Sequence, residues 1–379
     1  MTQLHHRPQA HWDALGGGHT AREIAQQPTV WRQLPQCWND VPAASRLRIK
    51  GILANPQASV ILTGAGTSAF AGELAADTLN AAWPAQVRAV ATTTLLSHPA
   101  LFVDAQAPLL VVSFARSGNS PESQAIVDLV RQLAPGTLFL NITCNAEGKL
   151  ARHGAGRDDT INVVLPAASC DQGFAMTSSF TSMLLTALAL LGPGPLDESA
   201  ARVEQVAALA QRWISELAGP WHACAQSQVH RIVYLGGGPL EALAREAALK
   251  VLELSAGRIL ALSNSPLGFR HGPKSVVDAQ TMVVVFRSQD EHVRRYDQDL
   301  LDELQRDGIA GSVLAIDGRE RGAPATLSDA WLAAAYVVFA QVLALHHSVR
   351  LSLTPDNPFP DGTVNRVVQG VIIHPYASA

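Results

Sequence analysis

The 379-residue chain predicts an α/β protein of two tandem units, each a parallel sheet in a three-layer α/β/α sandwich. The first observation is an internal repeat. Val60-Ile-Leu-Thr-Gly-Ala-Gly66 and Ile232-Val-Tyr-Leu-Gly-Gly-Gly238 are both short apolar runs that end in glycines, with Gly64 and Gly236 172 residues apart (236 − 64). At the same spacing Val111-Val-Ser-Phe114 falls on Val283-Val-Val-Phe286, Val87–Ala91 on Ile259–Ser263, and Ala75-Ala76 on Ala247-Ala248. Ordered matches at one spacing mark a duplication. The second observation is that the apolar runs are short, rich in Val, Ile and Leu, and alternate with helical segments, the pattern of strands buried on both faces. The third is composition. Charged residues make up 16% and hydrophobic ones 47%, against about 25% charged in an ordinary globular chain. Such a chain buries much of itself or hides surface in an oligomer.

Each unit reads as strand, glycine loop, helix, strand, linker, strand, loop, helix, strand. Residues 1–45 form an N-terminal extension, 46–198 the first unit, and 199–379 the second unit with a C-terminal tail. In the extension, Thr20-Ala-Arg-Glu23 reads as a capping box opening a short helix that Pro28 ends. Gly192-Pro-Gly-Pro195 punctuates the middle, and a helix from about Ser199 to Leu217 opens the second unit. Thr354 to Asn365 is irregular, and Val367 to Ile373 reads as a last strand.

The net charge of −4 offers no basic face to nucleic acid. Trp331 to Leu345, interrupted by Gln341, is the longest apolar run. It is shorter than the roughly 18–20 residues of a membrane span and reads as a buried or interface helix. No apolar signal segment opens the chain, and the four cysteines show no CxxC pairing. A cytoplasmic protein with reduced thiols, binding neither membrane nor nucleic acid, is expected.

Parallel sheets bind ligands at the carboxyl ends of their strands, and the first unit concentrates hydroxyls there. Gly64-Ala-Gly-Thr-Ser68 and Ser113-Phe-Ala-Arg-Ser-Gly-Asn-Ser120 each leave a strand and enter a helix. Met176-Thr-Ser-Ser179 precedes the apolar stretch from Phe180 to Leu191. Any one of these could be an ordinary turn and N-cap. Three in one unit point to a phosphate monoester, held by helix N-terminal amides and small hydroxyls. Neither GxxxxGK[ST] nor GxGxxG occurs.

The second unit has lost most of these hydroxyls. Its helix from about Leu240 to Leu254 puts Leu243, Ala247, Val251 and Leu254 on one stripe, with Glu246, Lys250 and Glu253 along its edge, within about 60° of one another. A partly desolvated carboxylate there suits a general base. Helix geometry alone favours a solvated edge with a Glu246–Lys250 pair at i,i+4. His271, between Arg270 and Gly272-Pro273, lies on a turn, where a histidine is either incidental or a proton shuttle. Histidine spacing shows no metal motif.

Gly-Thr-Ser at 66–68, Ser-Gly-Asn-Ser at 117–120, Ala-Leu-Lys-Val-Leu-Glu-Leu-Ser at 248–255 and His-Gly-Pro at 271–273 resemble the sugar isomerase (SIS) domain superfamily. Their tandem arrangement resembles the isomerase half of glucosamine-6-phosphate synthase. Thr20-Ala-Arg-Glu-Ile-Ala-Gln-Gln-Pro28, Ser-Pro-Leu-Gly-Phe-Arg-His-Gly-Pro-Lys at 265–274, and Asn365-Arg-Val-Val-Gln-Gly370 after Asp356-Asn-Pro358 are similar to its AgaS-type branch of galactosamine-6-phosphate deaminase/isomerases. The resemblance implies that Ser68, Ser117 and Ser120 hold a 6-phosphate with the backbone of Gly66, Thr67, Gly118 and Asn119. Thr177 would line the third loop. Glu253 would move a proton between carbons 1 and 2 with Lys250 beside it. His271, from a neighbouring subunit, would open the sugar ring, and Asn365 and Arg366 would close the site.

The sequence departs from the synthase in three places. Ala115 and Arg116 replace Ser-Gln, Met176 replaces a serine, and Met1-Thr2 offers no cysteine nucleophile of a glutaminase. Without channelled ammonia, deamination is the expected direction: D-galactosamine 6-phosphate to tagatose 6-phosphate and ammonium, with no metal or redox cofactor, in a homodimer or larger homo-oligomer. Glucosamine 6-phosphate, differing at carbon 4, and plain aldose–ketose isomerisation stay open. A sensor without turnover is disfavoured, because the basic residues of 1–50 are spread among acidic ones.

Overall fold

The computed structural model describes residues 4–376. Among them nine strands form two wholly parallel sheets. The first contains β1 (Ser59–Thr63), β2 (Gln86–Ala89), β3 (Leu109–Ala115), β4 (Leu138–Thr143) and β5 (Thr160–Val164), in the order β2-β1-β3-β4-β5. The second contains β6 (Arg231–Gly236), β7 (Leu260–Asn264), β8 (Thr281–Phe286) and β9 (Ser312–Ile316), in the order β7-β6-β8-β9. β3, β4 and β8 are buried at every position, which is why they read as unbroken apolar runs. β5 escapes the sequence pattern. It is an edge strand in which buried and partly open positions alternate.

The chain divides into two compact units, neither continuous in sequence. The first-sheet unit comprises Gln33–Cys170, Ser179–Ala200 and the tail from Asp361, and the second-sheet unit comprises the segment ending at Arg32, Asp171–Ser178 and Ala201–Pro360. In the first-sheet unit, Ile61, Val111, Phe139, Ile126 and Val130 share one core cluster. In the second-sheet unit, Val233, Val283, Val285, Leu300 and Leu304 do the same.

The 172-residue spacing is exact in backbone terms. Helix Thr67–Ala82 follows β1 and helix Pro239–Leu254 follows β6, and both ends of the two helices keep the spacing. Each helix is entered through a glycine. Gly66 has φ 57° and ψ −129°, and Gly238 has φ 56° and ψ −128°. Residues with a Cβ rarely occupy this region.

The N-terminal motif folds differently from the expected capping box. The helix runs Gly18–Trp31, so Thr20 lies inside it and Pro28 does not end it. Asp356 caps its N-terminus, accepting from the amides of His19 (2.9 Å) and Thr20 (2.7 Å) and from the Thr20 hydroxyl (2.7 Å). Pro28 has no N–H for the Ile24 carbonyl. The neighbouring Gln27 side-chain amide donates to that carbonyl at 3.1 Å and to Gln341 at 2.7 Å.

That second bond also explains the single polar interruption in the long apolar run. The run lies in helix Asp329–Arg350, whose residues 330–348 are buried inside the chain. The helix is long and apolar enough to cross a membrane by composition, but 94% of its apolar window is covered here. It is therefore a buried helix and not an open interface face. Val367 to Ile373 forms no strand. A β-branched run makes no strand without an edge to pair with, and Val368 and Ile372 stay exposed.

Candidate active site

In the first sheet the strand order reverses between β1 and β3, the place where a parallel sheet opens a crevice at its carboxyl ends. The two hydroxyl-rich loops leave these two strands. Thr67 and Ser68 are buried at the start of helix Thr67–Ala82, whose first turn carries no carboxylate. After β3, Ser120 is the N-cap residue of helix Pro121–Leu133 and its hydroxyl lies 2.6 Å from that of Ser123. The Ser117–Ser120 turn is braced from outside. Asn145 donates to the Ser117 carbonyl (3.0 Å), the Leu150 amide donates to the Gly118 carbonyl (2.9 Å), and Asn119 Oδ1 accepts from the Lys149 amide (3.0 Å). Rigid turns presenting amides and hydroxyls at helix N-termini suit an anion.

Thr177, expected in a third loop of this group, lies in the second-sheet unit. It is fully buried, with its amide (2.7 Å) and hydroxyl (3.0 Å) both donating to Asp171. Its hydroxyl is spent on the loop's own shape. Glu23 of the N-terminal helix holds the same loop, accepting from the amides of Gln172 (2.6 Å) and Gly173 (3.1 Å). Burial, with help from Asp171 and Asp356, pushes the Glu23 carboxyl up to about 8, against the pull of those amides.

The acid–base helix departs from the solvated edge that helix geometry favoured. Glu246 and Lys250 are wholly buried and the Glu253 side chain keeps 23% exposure. Lys250 Nζ lies 3.4 Å from Glu246 and 2.5 Å from Glu253. Burial alone would lower the lysine, but the two carboxylates outweigh it and hold its proton more tightly than usual. One permanent cation therefore organises two carboxylates, and Glu253 is the one that reaches solvent. Sequence spacing placed Glu246 on this edge but gave no sign that it is buried. That depends on the packing of helix Asp329–Arg350 against this helix.

His271 is exposed, between the short helix Pro266–Phe269 and the turn Pro273–Val276. Its two cationic neighbours are engaged elsewhere: Arg270 pairs with Glu303 at 2.8 Å, and Lys274 pairs with Glu303 and Asp307. Asn365 and Arg366 lie on the exposed tail of the first-sheet unit, where the Arg366 carbonyl accepts from Arg116 at 2.7 Å. Among the described residues no group of three or more His, Cys, Asp or Glu converges as a metal site.

Comparison with known proteins gives this geometry relatives. Residues 52–192 match the SIS domain model. The D-galactosamine-6-phosphate deaminase AgaS of Shewanella sp. (strain ANA-3) is 42% identical over 360 residues, covering 94% of this chain and 92% of the relative. The protein of the same name from Escherichia coli O157:H7 is 41% identical, covering 96% and 97%. The chain belongs to the AgaS family of SIS-domain proteins. A solved structure of tagatose-6-phosphate ketose/aldose isomerase from Escherichia coli superposes with a TM-score of 0.87 at 38% identity, covering 98% of this chain and 99% of that one.

Within this AgaS-family chain the second sheet carries a counterpart of the Ser117–Ser120 loop. Its strand order reverses between β6 and β8, and the loop after β8 sits where Ser117–Ser120 sits after β3. There the donors are satisfied internally. Asp297 accepts from the Ser288 amide (2.9 Å), Asp329 from the Ser288 hydroxyl (2.5 Å) and the Gln289 amide (2.6 Å), and Asp290 from the amides of His292 and Val293. Three carboxylates occupy the donors that an anion would use. The loss of most hydroxyls in this repeat was legible in the sequence, but the part played by Asp329, some 40 residues on, was not.

Proposed function

We propose that this chain is an amino-sugar-phosphate deaminase/isomerase, turning D-galactosamine 6-phosphate into tagatose 6-phosphate and ammonium. The observation that carries the chemistry is the buried Glu246–Lys250–Glu253 cluster with one carboxylate reaching solvent. The names of the full-length relatives supply the substrate. In this reading the first-sheet loops, through Ser68, Ser117 and Ser120, anchor the 6-phosphate and so fix the far end of the sugar. His271 moves a proton at the ring oxygen and opens the ring. Glu253 takes the proton from carbon 2, giving an enolamine, and returns it at carbon 1, giving a ketimine at carbon 2. Water adds to that carbon and ammonia leaves with a proton. The bonds broken are the ring C–O and the C2–N, each assisted by a proton transfer, and atoms balance with water as the one co-substrate. Lys250, kept charged by its two carboxylates, orients Glu253.

The similar Escherichia coli structure is that of a tagatose-6-phosphate ketose/aldose isomerase, and this activity supports a second reading. The same carbon 1 to carbon 2 proton transfer without an amine would perform it. A protein acting in the reducing cytoplasm suits both readings, and the four cysteines, none of them in a disulfide, support it. So does a homodimer in which the exposed His271 serves a neighbouring site.

The deciding experiment measures ammonium from galactosamine 6-phosphate and glucosamine 6-phosphate in parallel, with galactose 6-phosphate to tagatose 6-phosphate conversion alongside. Ammonium from the galacto sugar is expected. Sugar interconversion without ammonium from either amino sugar would make the chain a plain isomerase.

A further inference from the structure

The chain has four lysines. Lys250 lies between Glu246 and Glu253, Lys274 pairs with Glu303 and Asp307, and these carboxylates hold both lysines charged. Lys149 is exposed at the start of the short helix Lys149–Gly154. Lys50 is different. It stands near the end of helix Ala43–Leu53 in the first-sheet unit and is half-buried. Its Nζ lies over the Trp83 ring, 5.2 Å from the centroid, and donates to the Gly192 carbonyl. Gly192 follows helix Ser178–Leu191, which contains no ionisable residue, and Trp83 Nε1 donates to the Leu191 carbonyl at 2.7 Å. Arg46 and Arg48, on the lysine's own helix, donate to the carbonyls of Val41 and Asp158. Among the described residues no carboxylate pairs with Lys50, and burial alone pushes its amine down to about 8. An ammonium held by a ring and one carbonyl has lost water without gaining a counter-ion.

We propose that Lys50 is a modification site, an amine that takes an acyl group from an activated donor, an acyl phosphate or a thioester, and so discharges the end of helix Ser178–Leu191. Desolvated lysines without a carboxylate are the nucleophilic ones. The neutral amine attacks the donor carbonyl and the C–N bond forms. The C–O or C–S bond breaks, phosphate or thiolate leaves, and the extra proton on nitrogen passes to water. The surroundings select the group. An amide is neutral, so it removes the cost of keeping a desolvated ammonium, and it retains one N–H for the Gly192 carbonyl. A carbamate from carbon dioxide, or an adduct with a sugar phosphate, would bring an anion to a place without a counter-ion. Acylation also takes a cation away from a helix C-terminus, where positive charge is favourable.

The test gives the full-length chain limiting acetyl phosphate, or in a separate arm an acetyl thioester, across the range from neutral to alkaline pH. Acetylation is read at each of the four lysines by peptide mass spectrometry. At pH 8 an amine like that of Lys50 is neutral roughly a hundredfold more often than an ordinary lysine. Its lower basicity returns roughly tenfold of that, on the slope that thiols follow. Lys50 should therefore label first in at least one arm, about tenfold faster than Lys149. Its rate should level off above pH 8 while that of Lys149 goes on rising. In denaturant the two should label alike. Amide exchange at the end of helix Ser178–Leu191 should quicken about two- to fivefold in the acetylated chain, the worth of a cation at a helix end. Lys50→Arg treated in the same way should show no such change. Lys50 labelling no faster than Lys149 in both arms overturns the site, and so does a preference that survives denaturant, since local sequence would then explain it. Preferential labelling with unchanged exchange overturns the discharge of the helix end.

Discussion

Glu253 keeps partial exposure at the end of a chain of charges that is otherwise sealed, with Lys250 at 2.5 Å and Glu246 behind it. A base must meet substrate, so the exposed carboxylate is the one to test. Glu253→Gln should retain binding of the sugar phosphate and lose about 10²–10⁴ in kcat, read as ammonium release at saturating substrate. Near-native turnover would remove Glu253 from the mechanism. Glu23 is a second buried carboxyl whose effect is structural. Its folded value, about 8, lies above its ordinary one, so the folded chain holds that proton longer than the unfolded chain does. The stability this gives is full below about pH 4.5 and is lost as pH rises through 8. Melting temperature followed from pH 5 to 8.5 should carry a downward contribution that Glu23→Gln removes. An identical slope in the variant would mean that Glu23 does not titrate in this range.

At the level of elements, the paired entry glycines allow a matched experiment. A Cβ at Gly66 or Gly238 would meet nothing within 4 Å, so Ala there costs backbone strain alone, about 1–3 kcal/mol. Gly66→Ala and Gly238→Ala should therefore destabilise by similar amounts in denaturant titration. A large difference would mean that one entry loop relaxes where the other cannot. These glycines are also why the duplication was legible, since a sharp strand-to-helix turn demands the same residue wherever it recurs. Other elements were misread for equally local reasons. The expected end of the first helix at Pro28 fails because the Gln27 side chain supplies the donor that proline lacks. β5 was hidden by the mixed polarity of an edge strand. Val367–Ile373 is apolar and β-branched like a strand but pairs with no sheet edge. The burial of Glu246 and the occupation of the second loop by Asp329 depend on contacts between residues far apart in sequence, which no short window along the chain contains.

For the whole molecule, the proposed sharing of sites between subunits predicts a complementation. Glu253→Gln and His271→Asn, each inactive alone, are unfolded, mixed equally and refolded. If the two groups of one site come from different chains, a mixed dimer has one intact site. Random pairing then returns about a quarter of native activity by twofold symmetry. If both groups come from one chain, every site is damaged and nothing returns. The carboxylates that fill the second anion loop have a consequence of another kind. Asp290, Asp297 and Asp329 act as ligands that cannot dissociate, so the second-sheet unit is saturated at any solute concentration. If the first-sheet loops hold phosphate as proposed, that unit gains stability when a solute anion arrives, by about 2.7 kcal/mol at a hundredfold excess over Kd. Inorganic phosphate should therefore deepen exchange protection in β1–β5 and leave β6–β9 unchanged. On the proposed phosphate reading, the duplication leaves one half of the chain to respond to the concentration of its ligand and one half that does not.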